Sequence, residues 1–107
     1  MDEVVETVDH PDRGRYELTV DAQLAGSISY AIRNGQITLI HTEIDPAYAG
    51  KHLGQRLVRS VLDDARVRRL RVRPMCPFVA AFIRSHPDYQ DLVDVPIDGS
   101  QGPAPSR

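Results

Sequence analysis

The fold is decided by residues 37–70, which read ITLIHTEIDPAYAGKHLGQRLVRSVLDDARVRRL. The first eight residues have the pattern of a strand, a turn that carries Gly50 and Gly54 follows, and an amphipathic helical pattern begins directly after it. A glycine-bearing turn at a helix start leaves backbone N–H groups unpaired at the positive end of the helix dipole. An anion such as a phosphate group is therefore the natural ligand of this turn.

The helix after the turn is indicated by apolar residues spaced at 3.6 residues per turn, and we expect it to extend to about Arg69. Residues 70–74 then predict a short strand. A strand–helix–strand unit makes a right-handed crossover, so this strand should run parallel to the one that ends at Ile44. The apolar stripe of the helix consists of Leu53, Leu57, Val58, Val61, Leu62 and Ala65.

Two further strands are predicted before this unit. Arg15–Asp21 and Gly26–Arg33 both alternate apolar and polar residues, and Asn34-Gly35 is suited to a tight hairpin turn into a strand over residues 36–44. A second helix is predicted from Pro77, ending before Pro87. The expected fold class is α/β, with antiparallel hairpin strands, one parallel β-α-β crossover and two main helices.

A chain of 107 residues supports one domain. We place this domain at residues 14–93. Residues 1–13 are polar and contain a proline, which predicts a flexible leader. Residues 94–107 are rich in Pro, Gly and Ser, which predicts a disordered tail.

The composition argues against several classes of protein. The 41% hydrophobic and 26% charged fractions are ordinary for a soluble protein, and no apolar run approaches the length that crosses a bilayer, so no membrane partner is expected. The acidic start, Met1–Glu6, is unlike a secretory signal, and a cytoplasmic location is the expectation. The single Cys76 excludes an intrachain disulfide, and no metal-ligand spacing links the four histidines, so no metal is expected. The sequence carries no signal for an oligomeric state.

Two ionisable residues precede the glycine turn. If the strand alternates regularly, His41 and Glu43 share a face with Ile37 and Leu39. The side chains on this face then change from apolar to ionisable towards the turn, where the face leaves the core and lines a cavity. His41 could deprotonate an amine or a thiol near neutral pH, and Glu43 could orient or charge it. The alternative is an exposed or satisfied histidine at a sheet edge.

Cys76 follows the next strand and stands at the N-cap position before Pro77, where the helix dipole favours a thiolate and should lower the thiol pKa. His41 ends the adjacent parallel strand, and strands lie about 4.8 Å apart, so both side chains could reach one cavity as an activated Cys–His pair. The alternative is a small buried residue that serves packing alone.

A run of five arginines raises the possibility of nucleic-acid binding. The run spans a helix end and a strand, so the guanidinium groups should point in different directions, and no aromatic residues are interleaved with it. A solvated surface is the favoured interpretation, and salt-dependent binding to DNA or RNA would be needed to support a nucleic-acid partner. The run comprises Arg66, Arg68, Arg69, Arg71 and Arg73.

Taken together, these motifs resemble the acetyl-CoA-binding core of the GNAT superfamily of N-acetyltransferases. The resemblance is carried by residues 41–46, the turn 48–54 and the helix 55–69, and it covers about residues 14–93. More narrowly, the chain is similar to a short single-domain subgroup with a Cys-Pro-Phe segment, here Cys76-Pro77-Phe78.

The resemblance implies a loop, Q/R-x-x-G-x-G/A, whose backbone amides bind the CoA pyrophosphate, and two central strands that splay around the thioester. Ala49 stands where Gln or Arg is usual, and His52 stands where the middle Gly is usual. Lys51 and His52 offer electrostatic compensation for the missing side-chain donor. The implied cofactor contacts are Thr42, Ile44, Gly50, Lys51, His52, Leu53, Gly54, Gln55, Pro77 and Phe78.

The implied function is acetyl-CoA-dependent N-acetyl transfer to an amine on a small molecule or a peptide. In the subgroup, the histidine and cysteine at the positions of His41 and Cys76 are the suspected catalytic pair. Direct attack by the amine, with His41 as base, competes with an acetyl-Cys76 intermediate. The rival function is a CoA-binding module or regulator without physiological transferase activity, which a single-turnover assay with many amines would distinguish.

Overall fold

Residues 3–93 are described by the structure, a computed structural model, in which a five-stranded mixed sheet packs against two helices. The strands lie side by side in chain order; the first four pair antiparallel with one another, and the fifth pairs parallel with the fourth. This confirms the predicted α/β class and the parallel crossover. The elements are β1 Val5–His10, β2 Arg15–Val20, β3 Gln23–Arg33, β4 Gln36–Ile44, α1 Leu53–Val67, β5 Arg71–Pro74 and α2 Pro77–Ser85.

The element ends follow from local backbone geometry. β2 ends at Val20 because Asp21 and Ala22 both have positive φ, which turns the chain directly into β3. α1 ends two residues before the predicted Arg69, because that residue has a φ of 60° and cannot continue a right-handed helix. α2 begins at Pro77, as predicted, where the missing proline N–H costs no helical hydrogen bond.

A single hydrophobic core lies between the sheet and the helices. Leu18, Ile28, Leu39 and Val72 project from four strands into this core, and the stripe of α1 predicted from the sequence is buried there. The opposite face of the sheet carries the exposed arginines of β5 and also the exposed apolar side chains of Val8 and Leu24. No helix among residues 3–93 is long and apolar enough to cross a membrane.

The N-terminal residues correct one prediction. Instead of forming part of a flexible leader, Val5–His10 are β1, which pairs with the whole of β2. Asp9 accepts a hydrogen bond from the hydroxyl of Tyr30, and it also pairs with Arg68. The strand was not predicted because its polar residues are stabilised by contacts to distant parts of the chain, which the local sequence pattern does not show. The predicted tail, residues 94–107, lies outside the described residues.

β4 contains a β-bulge, which corrects a second prediction. Tyr30 of β3 lies opposite Leu39, and Ser29 lies opposite His41, so Ile40 is an extra residue without a partner. A bulge of one residue reverses the faces of every residue that follows it. Thr42 and Ile44 therefore continue the core face of β4, whereas His41 and Glu43 were expected there.

β4 and β5 separate directly after the bulge begins. Their pairing ends at Leu39 and Pro74, and the Leu39 carbonyl accepts hydrogen bonds from the N–H groups of both Met75 and Cys76, each at 3.0 Å. Beyond this point β3 is the strand within the described residues that pairs with β4. The point where the two strands part is called the gap between β4 and β5, and the side chains of Thr42 and Cys76 are in contact there.

Candidate active site

The chain between β4 and α1 forms the glycine turn that the sequence predicts. The Asp45 carboxylate accepts a hydrogen bond of 2.8 Å from the Ala47 N–H, which caps a short 3₁₀ turn over Pro46–Tyr48. Gly50 then has a φ of 83° and His52 a φ of 59°. These two left-handed residues redirect the chain so that α1 begins at residue 53.

The first turn of α1 presents unpaired donors. The first bond of the helix runs from the Arg56 N–H to the His52 carbonyl at 3.2 Å, so the N–H groups of Leu53, Gly54 and Gln55 have no acceptor within the helix. His52 provides no side-chain cap, and no acidic residue lies in the first turn. In the described part of the chain, this helix start is therefore an electropositive site of backbone donors.

These donors border a cavity of about 300 Å³. Phe78 of α2 closes one side of it, and a Cβ added to Gly54 would lie 3.0 Å from the Phe78 ring, so the glycine permits close packing of the two helices. All the lining residues except Tyr48 and Ala49 were predicted from the sequence as cofactor contacts. The lining comprises Ile44, Tyr48, Ala49, Gly50, His52, Leu53, Gly54, Gln55 and Phe78.

Three predicted cofactor contacts lie outside this lining. The Lys51 ammonium is 3.4 Å from the Glu3 carboxylate and lies over the ring of Tyr48. Pro77 is the first residue of α2. Thr42 lies on β4, beside the start of α2, where it contacts the cysteine.

Cys76 is a buried free thiol at the N-cap position of α2. Its Sγ is 3.3 Å from the Oγ1 of Thr42. Burial raises the pKa of Cys76, but hydrogen bonding from the Thr42 hydroxyl and from the backbone amides of Val79, Phe78 and Thr42 outweighs burial and brings the pKa below its ordinary value. The sulfur is therefore disposed to ionise, as the sequence predicted, although none of the amides meets the geometry of a side-chain cap.

His41 and Glu43 lie on the outer face of β4. Their side chains are 64% and 72% exposed, and the Nε2 of His41 is 3.4 Å from the Oε2 of Glu43. Among the described residues, Thr42 rather than His41 makes the side-chain contact to Cys76. The prediction that regular alternation brings His41 to the core face is wrong, because the bulge at Ile40 turns it outward. The catalytic role of His41 stays a prediction.

A second, shallow cavity lies at the start of β3 and the end of β4. Its volume is about 580 Å³, and its walls include Ser27, His41, Glu43 and Asp45. Two carboxylates at its rim favour a cationic group over an anion. From the sequence we expected His41 and Glu43 to enter a cavity on the core face of β4, whereas the cavity that they line includes the start of β3.

The arginine run does not form one basic patch. Arg66 pairs with Asp91 at 2.8 Å, and Arg68 lies 3.3 Å from the carboxylates of Asp9 and Asp64. Arg71 and Arg73 belong to β5, where they lie on the outer face of the sheet. Carboxylates thus neutralise part of the charge that a nucleic acid would require.

A mixed sheet whose parallel strands separate beside an uncapped helix start is the architecture of an acetyltransferase of the GNAT class. The chain belongs to the GCN5-related N-acetyltransferase family, whose model matches residues 15–92. No match was found among curated proteins.

Solved structures that match this chain include two that illustrate the likeness. One is a GCN5-like candidate N-acetyltransferase from Staphylococcus aureus, with a TM-score of 0.65 and 22% identity over 82% of this chain and 86% of that one. The other is the ribosomal-protein-S18-alanine N-acetyltransferase from Escherichia coli, with a TM-score of 0.54 and 14% identity over 65% of this chain and 64% of that one. At these identities the likeness concerns the fold alone.

Proposed function

We propose that this N-acetyltransferase uses acetyl-CoA to acetylate a primary amine on a small molecule or a peptide. The observation that carries the proposal is the uncapped start of α1, which opens onto a cavity next to the gap between β4 and β5. Family membership supports the reaction class. The cofactor and the acceptor are assigned from the chemistry of the two cavities.

The pyrophosphate of CoA suits the N–H groups of Leu53, Gly54 and Gln55. Backbone donors at a helix N-terminus bind phosphate oxygens without any side-chain charge, so the absence of Gln or Arg at Ala49 does not remove the site. Gly50 keeps the approach open, because no atom lies within 4 Å of the position of a Cβ there.

The pantetheine arm of CoA suits the unpaired edge of β4. Its two amide groups can hydrogen-bond to an exposed strand edge as an added strand would. Beyond Leu39 no strand among residues 3–93 pairs with this edge of β4, and the edge leads from the cavity of α1 towards Thr42 and Cys76. The thioester would then lie between the core-facing thiol and the outward-facing imidazole.

The acceptor amine suits the shallow cavity on the other side of β4. An ammonium group is attracted by Glu43 and Asp45, and His41 can accept the proton that the amine must lose before it attacks. The C–N bond then forms as the bond from the carbonyl carbon to the CoA sulfur breaks, and CoA leaves as a thiolate.

A two-step route through Cys76 competes with this direct attack. The thiolate would attack the thioester, so that an acetyl-Cys76 forms and CoA leaves, and the amine would then take the acetyl group from the cysteine. Mass spectrometry after mixing with acetyl-CoA alone distinguishes the routes, because only the second leaves an acetyl group on the protein.

The test of the function is a single-turnover assay in which the purified protein, acetyl-CoA and a panel of small amines and short peptides are mixed and the acetylated product is identified. We expect product with at least one amine and its loss in Glu43→Gln or His41→Ala. Binding of CoA without transfer to any amine would favour the rival function, a CoA-binding module or regulator. Failure to bind CoA at all would overturn the proposal.

A further inference from the structure

Thr42 and Cys76 are brought together by two separate features of the backbone. The bulge at Ile40 turns Thr42 to the core face of β4. The Leu39 carbonyl binds the N–H groups of Met75 and Cys76, which fixes the start of α2 against the same strand. A hydroxyl and a thiol from residues 34 positions apart consequently lie 3.3 Å from each other.

We infer that Thr42 is a positioning residue for Cys76. The Thr42 hydroxyl donates a hydrogen bond to the Cys76 thiolate and holds the sulfur at the gap between β4 and β5. The inference rests on the proposed function, in which the thioester of acetyl-CoA reaches this gap. It gives Thr42 a task other than the cofactor contact that the family resemblance implies.

The ionisation state of the sulfur decides which group donates. A neutral thiol and a hydroxyl can each donate to the other, whereas a thiolate can only accept. A hydrogen bond to an ionised acceptor is also stronger than one to a neutral acceptor. The Thr42 hydroxyl therefore stabilises the thiolate more than the thiol, and its removal should favour the thiol.

The surroundings of Cys76 leave this role to Thr42. The backbone N–H groups of Phe78 and Val79 at the start of α2 and that of Thr42 also favour the thiolate, and the Thr42 hydroxyl is the side-chain donor beside them. On β4, His41 and Glu43 point to the opposite face and pair with each other. Substitution of Thr42 is accordingly the way to test how a side chain affects the ionisation of the Cys76 thiol.

The test is the ultraviolet absorbance of the thiolate, measured against pH on the CoA-free protein with Cys76→Ala as the blank. We expect the titration midpoint of Thr42→Val, which keeps the shape and removes the hydroxyl, to move to higher pH than that of the wild type. Thr42→Ser, which keeps the hydroxyl, should return towards the wild-type midpoint. Thr38→Val is the matched control, because Thr38 lies on the same strand before the bulge and faces outward.

Alkylation by iodoacetamide gives a second readout. At a pH below both titration midpoints, where only a small fraction of the sulfur is ionised, we expect Thr42→Val to react more slowly by up to roughly fivefold, the effect of losing one hydrogen bond of ordinary net strength. Thr42→Ala provides a smaller variant should the valine disturb packing, and circular dichroism verifies that each protein is folded. Equal thiolate titration midpoints in the wild type, in folded Thr42→Val and in folded Thr42→Ala would overturn the inference.

These measurements are separate from those that test the proposed function. No CoA is present in the titration. If the Thr42 variants leave the thiolate midpoint of Cys76 unchanged, the proposed role of Thr42 is wrong, even if the enzyme is active. Conversely, a wild type that does not bind CoA defeats the proposed function, whatever its thiolate titration shows.

Discussion

Gly50 and His52 set the backbone geometry of the proposed anion site. Left-handed geometry costs a residue with a side chain roughly 1 to 2 kcal/mol, a cost that Gly50 avoids and His52 incurs. The gain is a helix that starts without a cap, so that three N–H groups remain available to a ligand. Strain at His52 thus accompanies the three backbone N–H donors on which the proposed anion site depends.

Gly50→Glu should weaken CoA binding by roughly tenfold, because it places a carboxylate beside the bound phosphates. The matched control is Gly35→Glu at the β3–β4 hairpin. Both glycines have positive φ and open space around the position of a Cβ, so both variants should lose a similar stability, about 1 kcal/mol. Isothermal titration calorimetry with CoA provides the comparison, and equal affinities in the two variants would contradict the placement of the pyrophosphate.

Glu17 is a buried carboxylate on the outer face of β2, and it makes stability depend on pH. Burial raises its pKa, but hydrogen bonds from Arg15 and Arg13 and the charge of His10 lower it below the ordinary value near 4.5. Its contribution is present above the pKa of the unfolded chain and is lost as pH falls through the folded-state pKa.

Glu17→Gln should accordingly lower the free energy of unfolding at neutral pH by about 1 to 2 kcal/mol, because it weakens the charge-assisted hydrogen bonds. The difference between the variant and the wild type should shrink as the pH falls below about 4. Urea unfolding at a series of pH values measures both effects. A difference that stays constant down to the acid limit would show that the charge of Glu17 does not stabilise the fold.

At the scale of the elements, β4 divides what the sequence could predict from what it could not. Its bounds, the hairpin before it and the helix after it follow from alternation, an Asn-Gly turn and a 3.6-residue period. The only sequence signal for the bulge is a change of phase, from apolar Ile37 and Leu39 to apolar Ile44, and the polar residues 41–43 between them do not show where the shift occurs. The choice is made by pairing with β3, so the sequence predicted which residues surround the site and misassigned the face of His41.

Deletion of Ile40 should leave Thr42 and Ile44 on the core face, because the bulge residue is the extra one in the register. We expect a folded protein that retains the contact between Thr42 and Cys76 and loses acetyl transfer, since the shortened strand alters the gap beside β5. Stability from urea unfolding and a single-turnover assay are the measurements. Retention of full activity would show that the bulge has no part in placing the thioester.

At the scale of the whole molecule, the parts of the site come from places where elements end. The turn after β4, the start of α1 and the start of α2 meet at one edge, as the ends of parallel strands do in open α/β sheets. This rule allowed most of the site to be predicted. β1 was missed for the opposite reason, since its pairing with β2 and its contacts to Tyr30 and Arg68 depend on tertiary structure.

The most direct measurement is the free energy of unfolding as a function of CoA concentration. A ligand that binds the folded state alone should add about 2.7 kcal/mol at 100 times its dissociation constant, and the increase should grow with the logarithm of concentration. The account predicts this increase for the wild type and a displaced curve for Gly50→Glu. A folded wild type whose stability is unchanged by millimolar CoA would contradict it.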